Sequence, residues 1–255
     1  MYLFIFFQAL FTLFIAGGLF FKEHLLKNRT IGVYFVLFAL EIFYFLYGTS
    51  ELPIIYPEFI GRFYFSLGFI YGPLLLFHFR SVINIKAKFS LRDLWHFIPL
   101  VVLNLYMLDI ILMTNQDRLV YFNSEENFYN RILYLNCARA LHQVTYGFLL
   151  YRLYKKYKAQ VSINEAFYLG GVSIIYFITT IVITSLVLFA NSWKDFAWYY
   201  VISNTLILII VYILYKDPKF FKAFKEKYKS STLKKSEMLV IKNKLQNLFV
   251  EEQIY

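Results

Sequence analysis

Hydrophobic residues in this chain come in blocks of about twenty, separated by short polar segments. A helix of about 20 apolar residues is long enough to cross ~30 Å of hydrocarbon. The pattern therefore predicts an all-α polytopic membrane protein with a seven-transmembrane helix bundle in residues 1–215. The seven predicted spans are Tyr2–Phe21, Ile31–Gly48, Ile60–Phe79, Leu94–Met113, Tyr129–Tyr151, Ala166–Ala190 and Trp198–Tyr215.

The fifth block is the least apolar of the seven. It contains a polar run formed by Asn136, Arg139, His142 and Gln143. Taken by itself, this block is a doubtful span. We keep this block as a predicted span because of the charges on either side of it. Without a fifth crossing, the basic cluster 152–158 would lie on the same side of the membrane as the acidic segment 117–126.

The segments between the blocks alternate in charge. Basic loops stay in the cytoplasm because translocating Lys and Arg is disfavoured. Seven crossings with this bias place the N-terminus outside and the C-terminus in the cytoplasm. The basic set comprises Lys22, Lys27, Arg29, Arg80, Lys86, Lys88, Arg92, Arg152, Lys155, Lys156, Lys158 and the stretch from Lys216; the other comprises Glu51, Glu58, Asp117, Arg118, Glu125, Glu126, Lys194 and Asp195.

Composition agrees with a membrane protein. Hydrophobic residues make up 60% of the chain and charged residues 16%, whereas a soluble domain carries roughly a quarter charged residues. The net charge of +10 is spread between the apolar blocks and does not form one nucleic-acid surface. Cys137 has no second cysteine for a disulfide, and the four histidines show no metal-binding spacing. No metal and no cofactor are expected.

A few ionisable residues lie inside the blocks, where charge is expensive and points to function. Glu41, Asp109 and Arg139 fall at mid-depth or in the outer half, and His142 follows Arg139 by one turn. One interpretation is a pocket open to the outside, in which Glu41 and Arg139 pair and hold a small polar or lipidic ligand. The predicted ligand-binding residues are Glu41, Arg62, Asp109, Arg139 and His142.

The alternative interpretation of these charges is structural. A buried ion pair can tie helices together without binding a ligand. Arg62 and Arg131, near the outer ends of the third and fifth blocks, can extend their charged ends to the headgroups. The sequence leaves both interpretations open.

Two local signals concern the third and fourth blocks. Gly72 and Pro73 lie inside the third block, where the proline removes a helix hydrogen bond and predicts a hinge. Ser90 and Asp93 have the three-residue spacing of a helix N-cap ahead of the fourth block.

Residues 216–255 form a predicted cytoplasmic tail with two parts. The first is a basic amphipathic helix suited to an anionic membrane surface, with lysines at Lys219, Lys222, Lys225, Lys227 and Lys229. The second is a short connector helix with one apolar stripe, a candidate homodimer contact formed by Met238, Ile241, Leu245 and Leu248.

Several seven-helix functions lack their signatures here. The last block has no lysine for a retinal Schiff base, and the third ends in FHFR rather than the triplet of G-protein-coupled receptors. Internal repeats typical of transporters are absent from the sequence, as is any enzyme-like nucleophile and base motif. These observations favour a receptor or an anchor over an enzyme.

Two stretches carry a family resemblance: YGPLLLFHFRS at residues 71–81 and FSLRDLWHFIP at residues 89–99. They resemble the segment YGPLLYFYxRS…FxxxDxxHFIP of a bacterial family with an N-terminal multi-span membrane domain and a C-terminal AraC-type helix-turn-helix domain. YKSSTL at residues 228–233 and EEQIY at residues 251–255 are similar to the join ahead of that DNA-binding domain.

The resemblance implies a membrane-bound transcriptional regulator of the bacterial cytoplasmic membrane. The chain stops before the helix-turn-helix units, so DNA binding is expected only through a C-terminal domain missing from these 255 residues. The expected partners are the lipid bilayer, a ligand and a second copy of the chain. The alternatives are a membrane scaffold that docks a cytoplasmic partner, including a histidine-kinase output, and, less favoured, a small transporter.

Overall fold

The computed structural model describes residues 1–21, 25–61, 64–84, 86–189 and 193–216, all within one compact unit, Met1–Ala223. This part of the chain is helical and has no strand, which confirms the all-α prediction. Five of its helical stretches are long and apolar enough to cross a membrane, judged by length and composition. They support the prediction of a membrane protein with transmembrane helices.

Ten α-helices of five residues or more organise the described residues. They are α1 Tyr2–Phe21, α2 Leu26–Gly48, α3 Tyr64–Ile83, α4 Ile98–Tyr106, α5 Leu108–Leu112, α6 Asn115–Phe122, α7 Leu133–Tyr157, α8 Ile163–Phe189, α9 Ala197–Ser203 and α10 Thr205–Lys216. Shorter turns lie at Leu52–Ile55, Pro57–Phe59, Glu125–Asn127 and Trp193–Phe196, with a longer 3₁₀ segment at Leu91–Phe97 and a π turn at Phe128–Ile132. The five candidate spans are α1, α2, most of α3, α8, and Lys194–Ile213.

The long helices pack in a closed ring. Helix α1 contacts α2, α2 contacts α3, α3 contacts α7, and α7 contacts α8. Helix α8 contacts α9 and α10, and α9 returns to α1. Helix α4 packs beside the ring, against α3. Aromatic side chains fill the interior, among them Phe35, Phe38, Tyr71, Tyr168 and Tyr200.

Helix α7 is polar on the inside and apolar on the outside. Asn136, Arg139 and Gln143 are buried, whereas Tyr134, Leu141 and Phe148 on the opposite side are exposed. A helix in lipid places its polar groups toward other helices because hydrocarbon cannot solvate them. With 25 residues, α7 is about 37 Å long. The doubtful fifth block is therefore a helix of membrane-spanning length whose polar run faces the ring.

The fourth predicted block, Leu94–Met113, does not form one continuous helix. A 3₁₀ segment, Leu91–Phe97, is followed by α4, and the α-helix is interrupted at Met107 before α5. At this interruption the Tyr106 carbonyl accepts a hydrogen bond from Arg131. The interruption of the helix therefore coincides with a contact from a distant segment of the chain.

The predicted N-cap at Ser90 is confirmed. The Ser90 backbone N–H and hydroxyl both donate to the same oxygen of Asp93, at 2.8 and 3.0 Å. Arg80, in the last turn of α3, donates to the other oxygen at 2.5 Å. Burial raises the pKa of Asp93, but the hydrogen bonds from Arg80 and Ser90 outweigh it and hold that pKa below its ordinary value.

The hydrogen bonds to Asp93 make the folded state less stable in acid. A depressed carboxyl pKa stabilises the fold above the unfolded pKa of about 3.9, and the contribution is lost as pH falls through the lower folded pKa. We expect Asp93→Asn to lower the melting temperature at neutral pH and to flatten its decline in acid. The exposed Glu51→Gln serves as control. Equal acid dependence in wild type and Asp93→Asn would contradict the assignment.

Candidate functional site

A buried ion pair joins α2 to α7 inside the ring. Arg139 Nη2 donates to Glu41 Oε1 at 2.5 Å, across 98 residues of sequence. The Glu41 side chain is 0% exposed and that of Arg139 is 1% exposed. The two charges therefore lie in contact and closed off from the exterior, and a ligand reaches them only after the helices rearrange.

Tyr71 adds a third helix to this pair. Its hydroxyl donates to Glu41 Oε2 at 2.5 Å, so each carboxylate oxygen accepts a hydrogen bond. The Tyr34 ring from α2 lies 5.1 Å from the Tyr71 ring. Helices α2, α3 and α7 thus meet at one carboxylate, which we call the Glu41 site (Glu41, Tyr71, Arg139).

Two glycines allow α3 to approach α7 closely. Gly68 lies against the Arg139 side chain, and Gly72 lies against the Tyr146 ring; a Cβ atom at either glycine would overlap these neighbours. Glycines four residues apart on one helix face are a common device for tight packing of membrane helices. The sequence interpretation used Gly72 only as a hinge residue and missed Gly68, although the spacing Gly-x-x-x-Gly was visible.

The predicted hinge lies directly beside this contact. Helix α3 continues through Pro73, which has no N–H to donate to the Phe69 carbonyl one turn earlier. The helix is therefore weakest at the level of Gly72. The role of Gly72 and Pro73 as a hinge stays a prediction.

His142 lies one turn from Arg139 on the same face of α7. Its ring packs 4.9 Å from the Phe69 ring and 4.6 Å from the Tyr146 ring. Both ring nitrogens are buried, and neither has a hydrogen-bond partner among the described residues. The hydroxyl of Tyr146 is hydrogen-bonded to His96 Nδ1 at 2.7 Å. Polar groups thus extend along α7 from the Glu41 site to His96.

Asp109 belongs to a different ion pair. Arg131 binds it through two nitrogens, at 2.5 and 2.7 Å, and lies over the Tyr106 ring at 4.5 Å. The Asp109 side chain is 58% exposed. The structure therefore pairs Asp109 with Arg131, and not with the Glu41 site. Arg62 lies outside the described residues.

Arg118 organises the end of the bundle that the charge pattern assigns to the exterior. The residue is 0% exposed and donates to the carbonyls of Ile111, Met113 and Glu58 and to the side chain of Asn115. The sequence interpretation counted Arg118 only as a loop charge. Its role depends on three segments meeting, and no local pattern reveals that.

A second buried polar group lies near the other end of α3. His78 Nδ1 is 2.9 Å from the Lys27 carbonyl, and its Nε2 is 2.6 Å from the Tyr168 hydroxyl. Because a carbonyl only accepts, Nδ1 carries a proton and donates it to the Lys27 carbonyl. His78 therefore connects α2, α3 and α8 through hydrogen bonds.

The remaining predicted residues lie outside the part of the chain that the structure describes. The membrane-surface lysines, Lys219, Lys222, Lys225, Lys227 and Lys229, and the candidate dimer contact, Met238, Ile241, Leu245 and Leu248, lie outside the described residues. Within the described part of the chain, no three His, Cys, Asp or Glu residues are grouped to hold a metal ion.

No family model, curated protein or solved structure matches the chain.

Proposed function

We propose that the chain is the sensor domain of a membrane-bound transcriptional regulator, which relays an external or membrane signal to the cytoplasm. The observation that carries this proposal is the Glu41 site. A fully buried charge pair shared by three helices is an expensive feature in a membrane protein, and such residues commonly belong to functional sites. Its position beside Pro73 places it where helix α3 is most easily bent.

The proposed topology has seven spans, with the N-terminus outside and the C-terminus in the cytoplasm. Five spans follow from length and composition. Helix α7 supplies another, because its length suffices and its polar residues face other helices. The seventh is the segment of α4 and α5, which packs beside α3. The basic loops set the orientation, and we place the domain in the bacterial cytoplasmic membrane.

Cysteine labelling tests the crossing by α7. In a Cys137→Ser background, we expect Asn123→Cys to react with a membrane-impermeant maleimide in intact cells, since it precedes α7 on the proposed outer side. We expect Gln160→Cys, beyond α7, to react only after permeabilisation. Both positions are exposed, so accessibility to solvent is matched. Labelling of both cysteines in intact cells would refute a crossing between them.

The proposed mechanism needs two packings of the bundle. A ligand that enters from the outer half would separate Glu41 from Arg139, with Gly72 and Pro73 as the flexing point. Such a ligand shifts the equilibrium between the two packings only if it binds one of them more tightly than the other. The last span, α9 and α10, carries the change to the tail, where pairing of two copies would alter the presentation of attached DNA-binding domains.

The AraC-type output rests on the resemblance of residues 71–81 and 89–99. In that arrangement the chain contacts DNA only through a further C-terminal domain.

A transcript measurement in the source bacterium tests the sensor proposal. We expect Tyr71→Phe, which removes one hydroxyl from the Glu41 site, to change a defined set of transcripts about fivefold or more, as an allosteric coupling of ~1 kcal/mol implies. Tyr176→Phe is the matched control, because the buried Tyr176 hydroxyl has no hydrogen-bond partner in the described part of the chain. A gene deletion defines the affected set.

A passive scaffold is the second candidate, favoured by the closure of the Glu41 site. With Glu41 and Arg139 at 0% and 1% exposure and in direct contact, the pair can serve as a tie between α2 and α7. A scaffold predicts unchanged transcripts in Tyr71→Phe at equal protein level in the membrane. That outcome would overturn the sensor proposal.

A further inference from the structure

A shallow cleft lies where the end of α3 meets the start of α2 and the loop that follows α3. It is separate from the Glu41 site. Its lining combines apolar and charged side chains: Leu26, Phe77, Arg80, Ala87, Lys88, Phe89 and Asp93.

The charged residues of the lining, counted among the described residues, have a net charge of +1. Arg80 and Lys88 are cationic, and Asp93 is the one carboxylate among these described lining residues. Arg80 uses Nη1 to bind Asp93, and 41% of its side chain is exposed. The other nitrogens of Arg80 have no hydrogen-bond partner among the described residues and remain available to an anion. Lys88 is exposed. One phosphodiester group, with a single negative charge, would neutralise this net charge of +1.

The apolar lining leads directly to a lipid-facing surface. Phe77 and Phe89 pack edge to face at 5.4 Å. The 3₁₀ segment that follows exposes Leu91 and Trp95, at 83% and 72%, while Asp93 is buried. A tryptophan exposed beside basic residues is typical of the headgroup boundary of a membrane. An occupant of the cleft thus meets both cationic and apolar side chains.

We propose that this cleft binds the headgroup of one anionic phospholipid, with the phosphodiester on Arg80 and Lys88 and the acyl chains along Phe89 and Leu91. A zwitterionic lipid fits less well, because its ammonium group would add a third cation beside Arg80 and Lys88. Arginine and lysine at the membrane surface attract anionic lipid through the same charge complementarity. The bound lipid would link α2, α3 and the 3₁₀ segment.

Native mass spectrometry of the purified chain in mild detergent tests this proposal. The probes are dioleoyl phosphatidylglycerol and dioleoyl phosphatidylcholine, which share their acyl chains. We expect one phosphatidylglycerol to be retained in preference to phosphatidylcholine. Lys88→Gln should weaken that binding about fivefold, the equivalent of ~1 kcal/mol per surface cation. Lys158→Gln removes the same charge from another exposed loop and should leave it unchanged.

Three outcomes would overturn the lipid assignment. Equal weakening by Lys88→Gln and Lys158→Gln would show general attraction to the net charge. Equal retention of the two lipids would show that the headgroup charge is not recognised. Displacement of the lipid by millimolar inorganic phosphate would show that the cleft recognises free phosphate. Lys88 is exposed in a loop, so Lys88→Gln is expected to fold.

Discussion

Glu41→Gln will destabilise the folded bundle by about 3–5 kcal/mol, the range found when one partner of a buried ion pair is removed. The substitution keeps the shape of the side chain and an oxygen for Tyr71, but leaves the Arg139 guanidinium without the Glu41 charge at 2.5 Å. Equilibrium unfolding of the purified protein in bicelles, titrated with SDS, measures this loss.

The partner variant will be less severe. Arg139→Met leaves a carboxylic acid that can bind a proton and become neutral, whereas an arginine stays charged in proteins. The double variant Glu41→Gln/Arg139→Met will recover most of the lost stability, since replacing a whole buried pair is often neutral or stabilising.

Asp109→Asn is the control for both single variants. It breaks the pair with Arg131, in which 58% of the Asp109 side chain is exposed near the outer end of the proposed span, so we expect a smaller loss than for Glu41→Gln. A Glu41→Gln protein as stable as Asp109→Asn would mean that the buried pair does not hold α2 to α7.

Gly72→Ala and Gly68→Ala will each destabilise the bundle by about 3 kcal/mol, the upper range for overpacking a close contact. The added methyl group at Gly72 overlaps the Tyr146 ring, and at Gly68 it overlaps Arg139. Relief at Gly72 requires α3 and α7 to move apart, and relief at Gly68 requires the same movement or a shift of the Arg139 side chain away from Glu41. The same unfolding titration measures both losses.

Gly17→Ala is the matched control in α1. Among the described residues, no atom outside its own stretch of helix lies within 4 Å of the position that its new Cβ would take. Helix propensity alone should then stabilise this variant by about 1 kcal/mol. If all three alanine variants gain stability, the close contact of α3 with α7 is wrong.

The double variant Gly68→Ala/Glu41→Gln tests whether Gly68 acts through Arg139. A loss of stability smaller than the sum of the two single losses would show that it does.

The sequence predicted the helices well where the apolar blocks were long. It also predicted the Ser90 cap, because both partners lie within one turn of chain. It failed at Met107, because the interruption there arises beside a contact with Arg131 from a distant segment. Local patterns do not contain contacts of that kind.

The sequence also selected Glu41, Asp109, Arg139 and His142 as unusual, because charged and polar side chains are costly in hydrocarbon. It did not determine their grouping. The structure places Arg139 with Glu41 and Tyr71, and Asp109 with Arg131. Gly68 and Arg118 were missed because their importance depends on neighbours from other helices.

The amino-acid sequence alone determined that the chain is helical, that several helices are long and apolar enough to cross a membrane, and which residues are too polar for lipid. These properties follow from the solvation of each side chain. Only the tertiary structure decided which helices are neighbours and which charges meet. When a helix is apolar on every side, its sequence does not show which face packs against the other helices. That choice is made by close packing, as at Gly68 and Gly72, and by charges that must find a partner.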